Sequence, residues 1–455
     1  MTTVITNIAH GWTGDAAGTR LTGAIRIEGD IITETGDLAP RPGEKVIDAT
    51  GCVVTPGLVN THHHLFQSVL KGLAMNEGLD VWLAQVPYRY WPQLDEETLR
   101  ISARIGLAEL ALTGATTVCD HHYLFPDAYD YDPAEVLFDE AGKLGLRFVL
   151  ARGGMTRGRN FGDPTIPPSP NEPLGDFLDG LNRAATRWHD PSDMAMTRVA
   201  CAPTTPNFNV TPDELVEIGQ EARRLGLRLH CHLSENGGYA AHTLKTFGKR
   251  PVPWLADKGW LGDDVWFAHL VDLTPDEVAM LAETGSAMAH CPQANARLGS
   301  GVAPAPALHA LGGTVSLAVD GAGANEAADM SMALYSAFAI QRATSGVGAV
   351  DVATIIHWAT MGGAKALGIP GIGRIAPGMA ADLTLFDLAS PRTFGLHDPA
   401  LAPVVSAAAN VRHSFVAGRQ IVRDGAMPGL DLETLADDAR HVIARLSRTS
   451  RTQYA

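Results

Sequence analysis

The stretch Asn60-Thr61-His62-His63-His64 sets three imidazoles at the end of an apolar run, Cys52 to Val59, that reads as a buried strand entered through a Pro56-Gly57 turn. Side chains two apart on a strand point the same way, so His62 and His64 share one face and His63 takes the other. Two imidazoles fixed on one face are half of a metal site. Later apolar runs end in groups of the same kind: Leu227 to His232, Val265 to His269, Ser286 to His290 and Val315 to Asp320. His62, His64, His232 and Asp320 together offer three nitrogens and a carboxylate oxygen, a donor set for one divalent cation with a position left open for water. Zinc is the first choice, and ferrous iron accepts the same donors. Glu235, three residues past His232, stands where it reaches both that water and a substrate nitrogen, as a proton shuttle. His269 would polarise the water or the substrate, and Asp320 would take a water proton as well as bind metal. His63 and His230 lie on the face away from the ligands and are assigned to packing or to supporting hydrogen bonds.

Such groups act together only if the chain brings the strand ends to one place. From Leu58 onward, strand patterns alternate with helical ones. Leu99 to Leu110 has helical spacing and stops at Gly114, before the strand Ala115 to Asp120. Pro133 opens a helix that Gly145 closes, and the strand Leu146 to Ala151 follows. Thr211-Pro212-Asp213-Glu214 and Thr274-Pro275-Asp276-Glu277 are helix starts with a threonine cap and acids in the first turn. Eight strands, most followed by a helix, predict a (β/α)8 barrel of the TIM type, whose chemistry sits at the C-terminal rim of the strands. The fourth strand does not end in a lysine that could carry a carbamate bridge, which favours one metal over two.

Short β-like runs before Cys52 and after Gly373 are too small to form cores alone, and are expected to pair into one sheet. The predicted organisation is thus residues 1–56 as the N-terminal part of a small β-sandwich domain and 57–372 as the catalytic barrel. Residues 373–430 form the C-terminal part of the sandwich, and 431–455 a helix from Leu432 to Leu446 followed by a frayed tail.

A net charge of −15 excludes a basic footprint for nucleic acid or an acidic membrane surface, while a small, weakly charged substrate remains compatible. The N-terminal Met1 to Asn7 lacks a basic stretch leading into an apolar run, so a cytoplasmic location is expected. The five scattered cysteines read as reduced core thiols.

These residues resemble the amidohydrolase superfamily, specifically the aminohydrolase branch that deaminates purines, pterins and s-triazines. The resemblance runs through Pro56 to His64, His232-Leu233-Ser234-Glu235, Ala268-His269, His290-Cys291-Pro292, Val319-Asp320-Gly321 and Gly378-Met379-Ala380-Ala381-Asp382. It implies His62, His64, His232 and Asp320 as metal ligands, Glu235 and His269 as the proton-handling pair, and a small heterocyclic substrate. It further implies that Gln67 holds the ring carbonyl beside the amino-bearing carbon. A homo-oligomer is expected.

Within the branch, Asp120 to Pro126, with His122, is similar to 8-oxoguanine deaminases. Cys201 to Thr205, His290 to Gly301 and Phe394 to Pro399 are closer to isoxanthopterin deaminases. Thr204 and Thr205 stand where 8-oxoguanine deaminases tend to carry cysteine and serine, and this favours a pterin. The resemblance therefore implies hydrolysis of the amino-bearing carbon of isoxanthopterin, with 8-oxoguanine as the alternative and a non-catalytic protein on the same fold as the reading from another class. A second departure, Ala294 where many relatives carry serine, removes one supporting hydrogen bond. A flat pterin wants aromatic faces and a few fixed polar contacts. Trp82, Tyr88, Tyr90 and Trp91 offer the former, and Trp82 with Arg152 is the preferred pair, Arg152 meeting the far carbonyl.

Overall fold

The structure is a computed structural model that describes residues 2–159, 161–407 and 410–453, with side chains through residue 448. Eight strands form one sheet in chain order: β1 (Leu58–Asn60), β2 (Ala115–His122), β3 (Arg147–Gly154), β4 (Thr197–Pro203), β5 (Arg228–Leu233), β6 (Val265–His269), β7 (Ala287–His290) and β8 (Val315–Leu317). Every neighbouring pair is parallel. The last strand and the residues after it return to the first through both side-chain and backbone bonds. Thr61 N and Oγ1 both donate to the Leu317 carbonyl, at 3.2 and 3.0 Å, and Val319 N donates to Asn60 Oδ1 at 3.0 Å. β2 and β3 are buried along their whole length, as strands between a packed barrel interior and a helical layer must be.

The helices start and stop where local chemistry dictates. Asp95 caps Glu96–Leu112, and Asp132 caps Pro133–Leu144, which Gly145 ends in the left-handed region at φ +79°. Thr211 and Thr274 each form a full capping box, with Glu214 and Glu277 returning the bond to the cap backbone. The C-terminal helix runs Leu432–Gln453, past the Leu446 end read from the sequence. Tyr454 and Ala455 of the expected tail lie outside the described residues.

The chain ends build two sheets where the sequence suggested one. Thr2–Ile8, Gly23–Glu28, Ile31–Gly36 and Lys45–Asp48 pair among themselves, while His10–Gly11 and Cys52–Pro56 join Leu383–Asp387, Asn410–Val416 and Arg419–Arg423. Neither sheet has a core of its own. Ile5, Ile25 and Ile32 of the first bury their side chains with Val54, Leu385 and Phe415 of the second, giving the two-layer sandwich.

The apolar run Cys52 to Val59 is likewise two strands, one in each unit, divided at Gly57. Gly57 N donates to the Asp382 carbonyl at 2.9 Å, and a Cβ there would lie 2.1 Å from Thr116 Oγ1, so only glycine lets the chain step from sandwich to barrel. Asp382 itself is paired with Arg147 at the start of β3, at 3.0 and 3.1 Å, both side chains fully buried.

Candidate active site

His62 and His64 follow directly after β1, and His63 between them turns away, its Nδ1 against the Asp320 carbonyl. His232 lies within β5, with Glu235 two residues past the strand end. His269 closes β6 at φ +75° and Asp320 follows β8 at φ +63°. Left-handed backbone at two non-glycine residues costs free energy, of order 1–3 kcal/mol each, and persists only where the surroundings fix it. Here Asp320 N donates to the His62 carbonyl at 3.1 Å, and Gly321 N to Asp320 Oδ1 at 2.7 Å.

The ring nitrogens of these histidines can be assigned from their partners. His64 Nδ1 lies 2.7 Å from the His121 carbonyl and His232 Nδ1 2.6 Å from the Thr204 carbonyl, so both Nδ1 atoms carry hydrogen. His230 Nδ1 meets the Trp266 carbonyl at 3.0 Å, which leaves His230 Nε2 as an acceptor for His62 Nδ1 at 2.8 Å. Three Nε2 lone pairs therefore point inward. His62 and His64 Nε2 stand 3.4 and 3.3 Å from Asp320 Oδ1, His64 and His232 Nε2 are 3.1 Å apart, and His62 Nε2 is buried with no hydrogen-bond partner among the described residues. Buried acceptors facing one another in this way fit a cation, and three imidazoles with one carboxylate fit a divalent one.

The electrostatics agree with the geometry. Burial holds His62 and His232 well below the usual imidazole range, in the neutral form that ligates. Burial works against the charge on His64 too, but the Asp320 carboxylate beside it outweighs this and raises it. Burial opposes the charge of Asp320, yet the His62 and His64 imidazoles beside it pull it well below the carboxylate range. Burial pushes Glu235 up against the lowering effect of His269, and the Asp320 charge adds to the rise. Its Oε2 lies 3.7 Å from His269 Nε2. His269 Nδ1 donates to Asn295 Oδ1 at 2.9 Å, which leaves its Nε2 facing Glu235.

A cavity of about 250 Å³ opens above these groups, and His64, His232, Glu235, His269 and Asp320 form part of its wall. Gln67, Trp82 and Thr204, expected on the sequence as substrate contacts, also line it. Gln67 rides on a short helix, Leu65–Val69, whose first amide donates to Asp120 Oδ1, and its side chain lies so close over Gly321 that a Cβ there would fall 2.0 Å from Oε1. Trp82 is held by a 3.0 Å bond from Nε1 to the Gly323 carbonyl. Tyr88 lines the cavity, while Trp91 bonds to Pro168 outside it.

Two expected contacts are not brought to this cavity. Arg152 forms a buried two-pronged ion pair with Glu172, at 2.6 and 2.7 Å, and lies against Phe125 and helix residue Gly180. His122 bonds through Nε2 to the Leu124 carbonyl and packs edge-on against Phe66 and Phe125. The reason is the pleat. His122 and Arg152 are register partners on β2 and β3, so both turn to the helical layer, and the inward position on β2 belongs to His121. His121 stacks on His232 at 4.8 Å and stands within ligating range of His62, His64 and His232. The sequence reading passed over it, although its place one residue before His122 carried the parity signal. It also missed Tyr123 and Arg159, which reach the cavity from loops, and Phe208, on the short helix Pro206–Asn209, all in segments whose direction sequence spacing does not reveal.

The sequence pattern of the amidohydrolase family matches residues 53–421, and the chain belongs to that family. Among curated proteins it is similar to an isoxanthopterin deaminase of an unknown prokaryotic organism, 46% identical over 93% of this chain and 92% of the relative. An 8-oxoguanine deaminase of Pseudomonas aeruginosa is 37% identical over 94% and 95% of the two chains. Among solved structures, an amidohydrolase from an environmental sample of the Sargasso Sea superposes with a TM-score of 0.87 at 44% identity, covering 99% of both chains. Atrazine chlorohydrolase TrzN of Arthrobacter aurescens TC1, complexed with zinc, superposes at 0.88 with 27% identity, covering 97% of this chain and 99% of the other.

Proposed function

We propose that this protein is a metal-dependent hydrolytic deaminase of isoxanthopterin, giving the 2-oxo product and ammonia. The observation that carries the reading is the convergence of His62 and His64 Nε2 on Asp320 Oδ1, with His232 Nε2 3.1 Å from that of His64, beside Glu235 and His269 on the wall of a small cavity. His62, His64, His232 and Asp320 would hold the cation, and zinc is the first choice, with ferrous iron accepted by the same donors. A divalent cation at that point supplies Lewis-acid activation of a water nucleophile. The chain's own groups then place the protons. Asp320 and His269 Nε2 take a proton from the attacking water, and Glu235, whose carboxyl burial pushes up, gives its own to the ring nitrogen beside the amino-bearing carbon. Glu235 then takes the remaining hydroxyl proton of the addition product and passes it to the departing amine, and the proton held by Asp320 and His269 restores Glu235. A C–O bond forms and the C–N bond breaks, and in net the two water protons are delivered to the ring nitrogen and to ammonia.

The similarity to an isoxanthopterin deaminase over almost the whole chain supports the pterin, as do Thr204 and Thr205. A cavity of about 250 Å³ is at the small end for ligand sites and suits a free heterocycle better than a nucleoside. The similarity to an 8-oxoguanine deaminase favours a second reading, deamination of that purine. Ammonia release from isoxanthopterin, pterin, 8-oxoguanine, guanine and hydroxytriazines decides between them. Isoxanthopterin is expected to be turned over with the highest kcat/KM, and activity confined to purines would overturn the pterin. Cytoplasmic location and homo-oligomeric assembly belong to the same proposal, and light scattering in solution tests the second.

A further inference from the structure

The described lining of the cavity holds three acids, Asp80, Glu235 and Asp320, and one arginine or lysine, Arg159, on the loop after β3. Arg159 is mostly enclosed, its side chain 17% exposed. The guanidinium lies over the ring of Phe208 at 4.2 Å and near that of Phe161 at 5.1 Å. Its Nη2 donates to Asp80 Oδ1 at 2.8 Å, across to the loop after β1, and Asp80 is itself largely open to solvent. Arg159 shares the cavity lining with Glu235, Tyr88, Tyr239 and His242, groups from several sides of the cavity. Asp320 is engaged with the cation and Glu235 with the amidine, so Arg159 is the one arginine or lysine of the described lining left to meet the rest of the ligand.

We infer that Arg159 is the specificity-determining residue of this site, and that it reads an oxo group, in its anionic lactam form, on the ring remote from the amino-bearing carbon. This rests on the deaminase reading and supplies, from a different residue, the far-carbonyl contact that Arg152 does not reach. The enolate-like oxygen of such a lactam is a strong acceptor for a guanidinium pair of N–H donors. Isoxanthopterin and pterin differ in that oxo group, and so do 8-oxoguanine and guanine, so the inference holds whichever ring system the enzyme prefers.

The test is the full-length metal-loaded enzyme with Arg159→Met, Arg159→Lys and Asp80→Ala, assayed on both substrate pairs. Arg159→Met should lower kcat/KM for the oxo member of the preferred pair by about 10- to 100-fold, the size of a charge-assisted hydrogen bond. Most of that should fall in KM, with kcat within about 3-fold, because the contact is made equally in ground and transition states. The member without the oxo group should change by less than about 3-fold, and Arg159→Lys should recover part of the loss. Unchanged thermal midpoint and metal content keep the readout on recognition. Asp80→Ala, which unties the two loops, should keep the ratio between the pair members. An equal fall in both members, no fall in either, or an Asp80→Ala variant that reproduces the loss of ratio would overturn the inference. A wild-type enzyme that releases ammonia from none of the four would overturn the deaminase reading itself, and the inference with it.

Discussion

The hydrogen-bond chain from the Trp266 carbonyl through His230 to His62 fixes which nitrogen of His62 is free to ligate. Replacing His230 with phenylalanine keeps the ring and removes the acceptor. Metal affinity, read by competition with a chromophoric chelator, should fall by about 10- to 100-fold, as for other partners of ligating histidines. An affinity within twofold of wild type would remove His230 from that role. Glu235 is placed differently: it faces the cavity and His269 and no metal-binding nitrogen. Glu235→Gln should therefore lower kcat by about 10²- to 10⁴-fold while the metal content stays at the wild-type level. Residual activity within tenfold of wild type would assign the proton transfers elsewhere.

At the scale of elements, the barrel and sandwich are locked by one buried pair. Arg147 begins β3 and grips Asp382, which also accepts the Ala417 amide at 2.7 Å. Removing one partner of a fully buried pair leaves a charge without compensation. Arg147→Ala should destabilise by about 3–5 kcal/mol in urea unfolding, with kcat unchanged because the pair sits at the strand end remote from the catalytic rim. A loss below 1 kcal/mol would show that the two units do not depend on this contact. Gly57→Ala, where Thr116 already fills the space, should be costly for the different reason of overpacking, about 1–3 kcal/mol.

Taken whole, the molecule buries many neutral histidines, and this sets its response to acid. Burial lowers His122 and His290 to about 3, the positive field of His269 adding to the effect at His290. The unfolded chain protonates both near 6.5, so below that pH the unfolded state binds more protons than the folded one. Stability is fully present above about pH 6.5 and drains as pH falls toward 3, at about 2 kcal/mol for each histidine at pH 5. Unfolding free energies measured from pH 8 to pH 4 should drop steeply below 6.5, and a flat profile down to pH 5 would contradict the burial. Chelation should abolish ammonia release and lower the thermal midpoint, with both restored by zinc or ferrous iron, since the cation compensates lone pairs that otherwise face one another.

The residues of the site lay open to sequence reading because a parallel barrel makes chemistry a matter of position along each strand. A polar group after an apolar run, repeated at His62, His64, His232, His269 and Asp320, marks the rim whatever the details of packing. Helix starts at Thr211 and Thr274 were equally legible, being decided by four neighbouring residues. Facing was not legible to that accuracy. A shift of one residue along β2 and β3 exchanges inside for outside, which sent His122 and Arg152 to the helical layer and brought His121 in. Pairing of the chain ends also depended on the fold, because two half-apolar sheets are stable only against each other. The connecting segments that carry Arg159, Phe208 and Tyr123 to the cavity follow from packing among parts far apart in the chain, and only the tertiary structure decided where their charge and aromatic faces point.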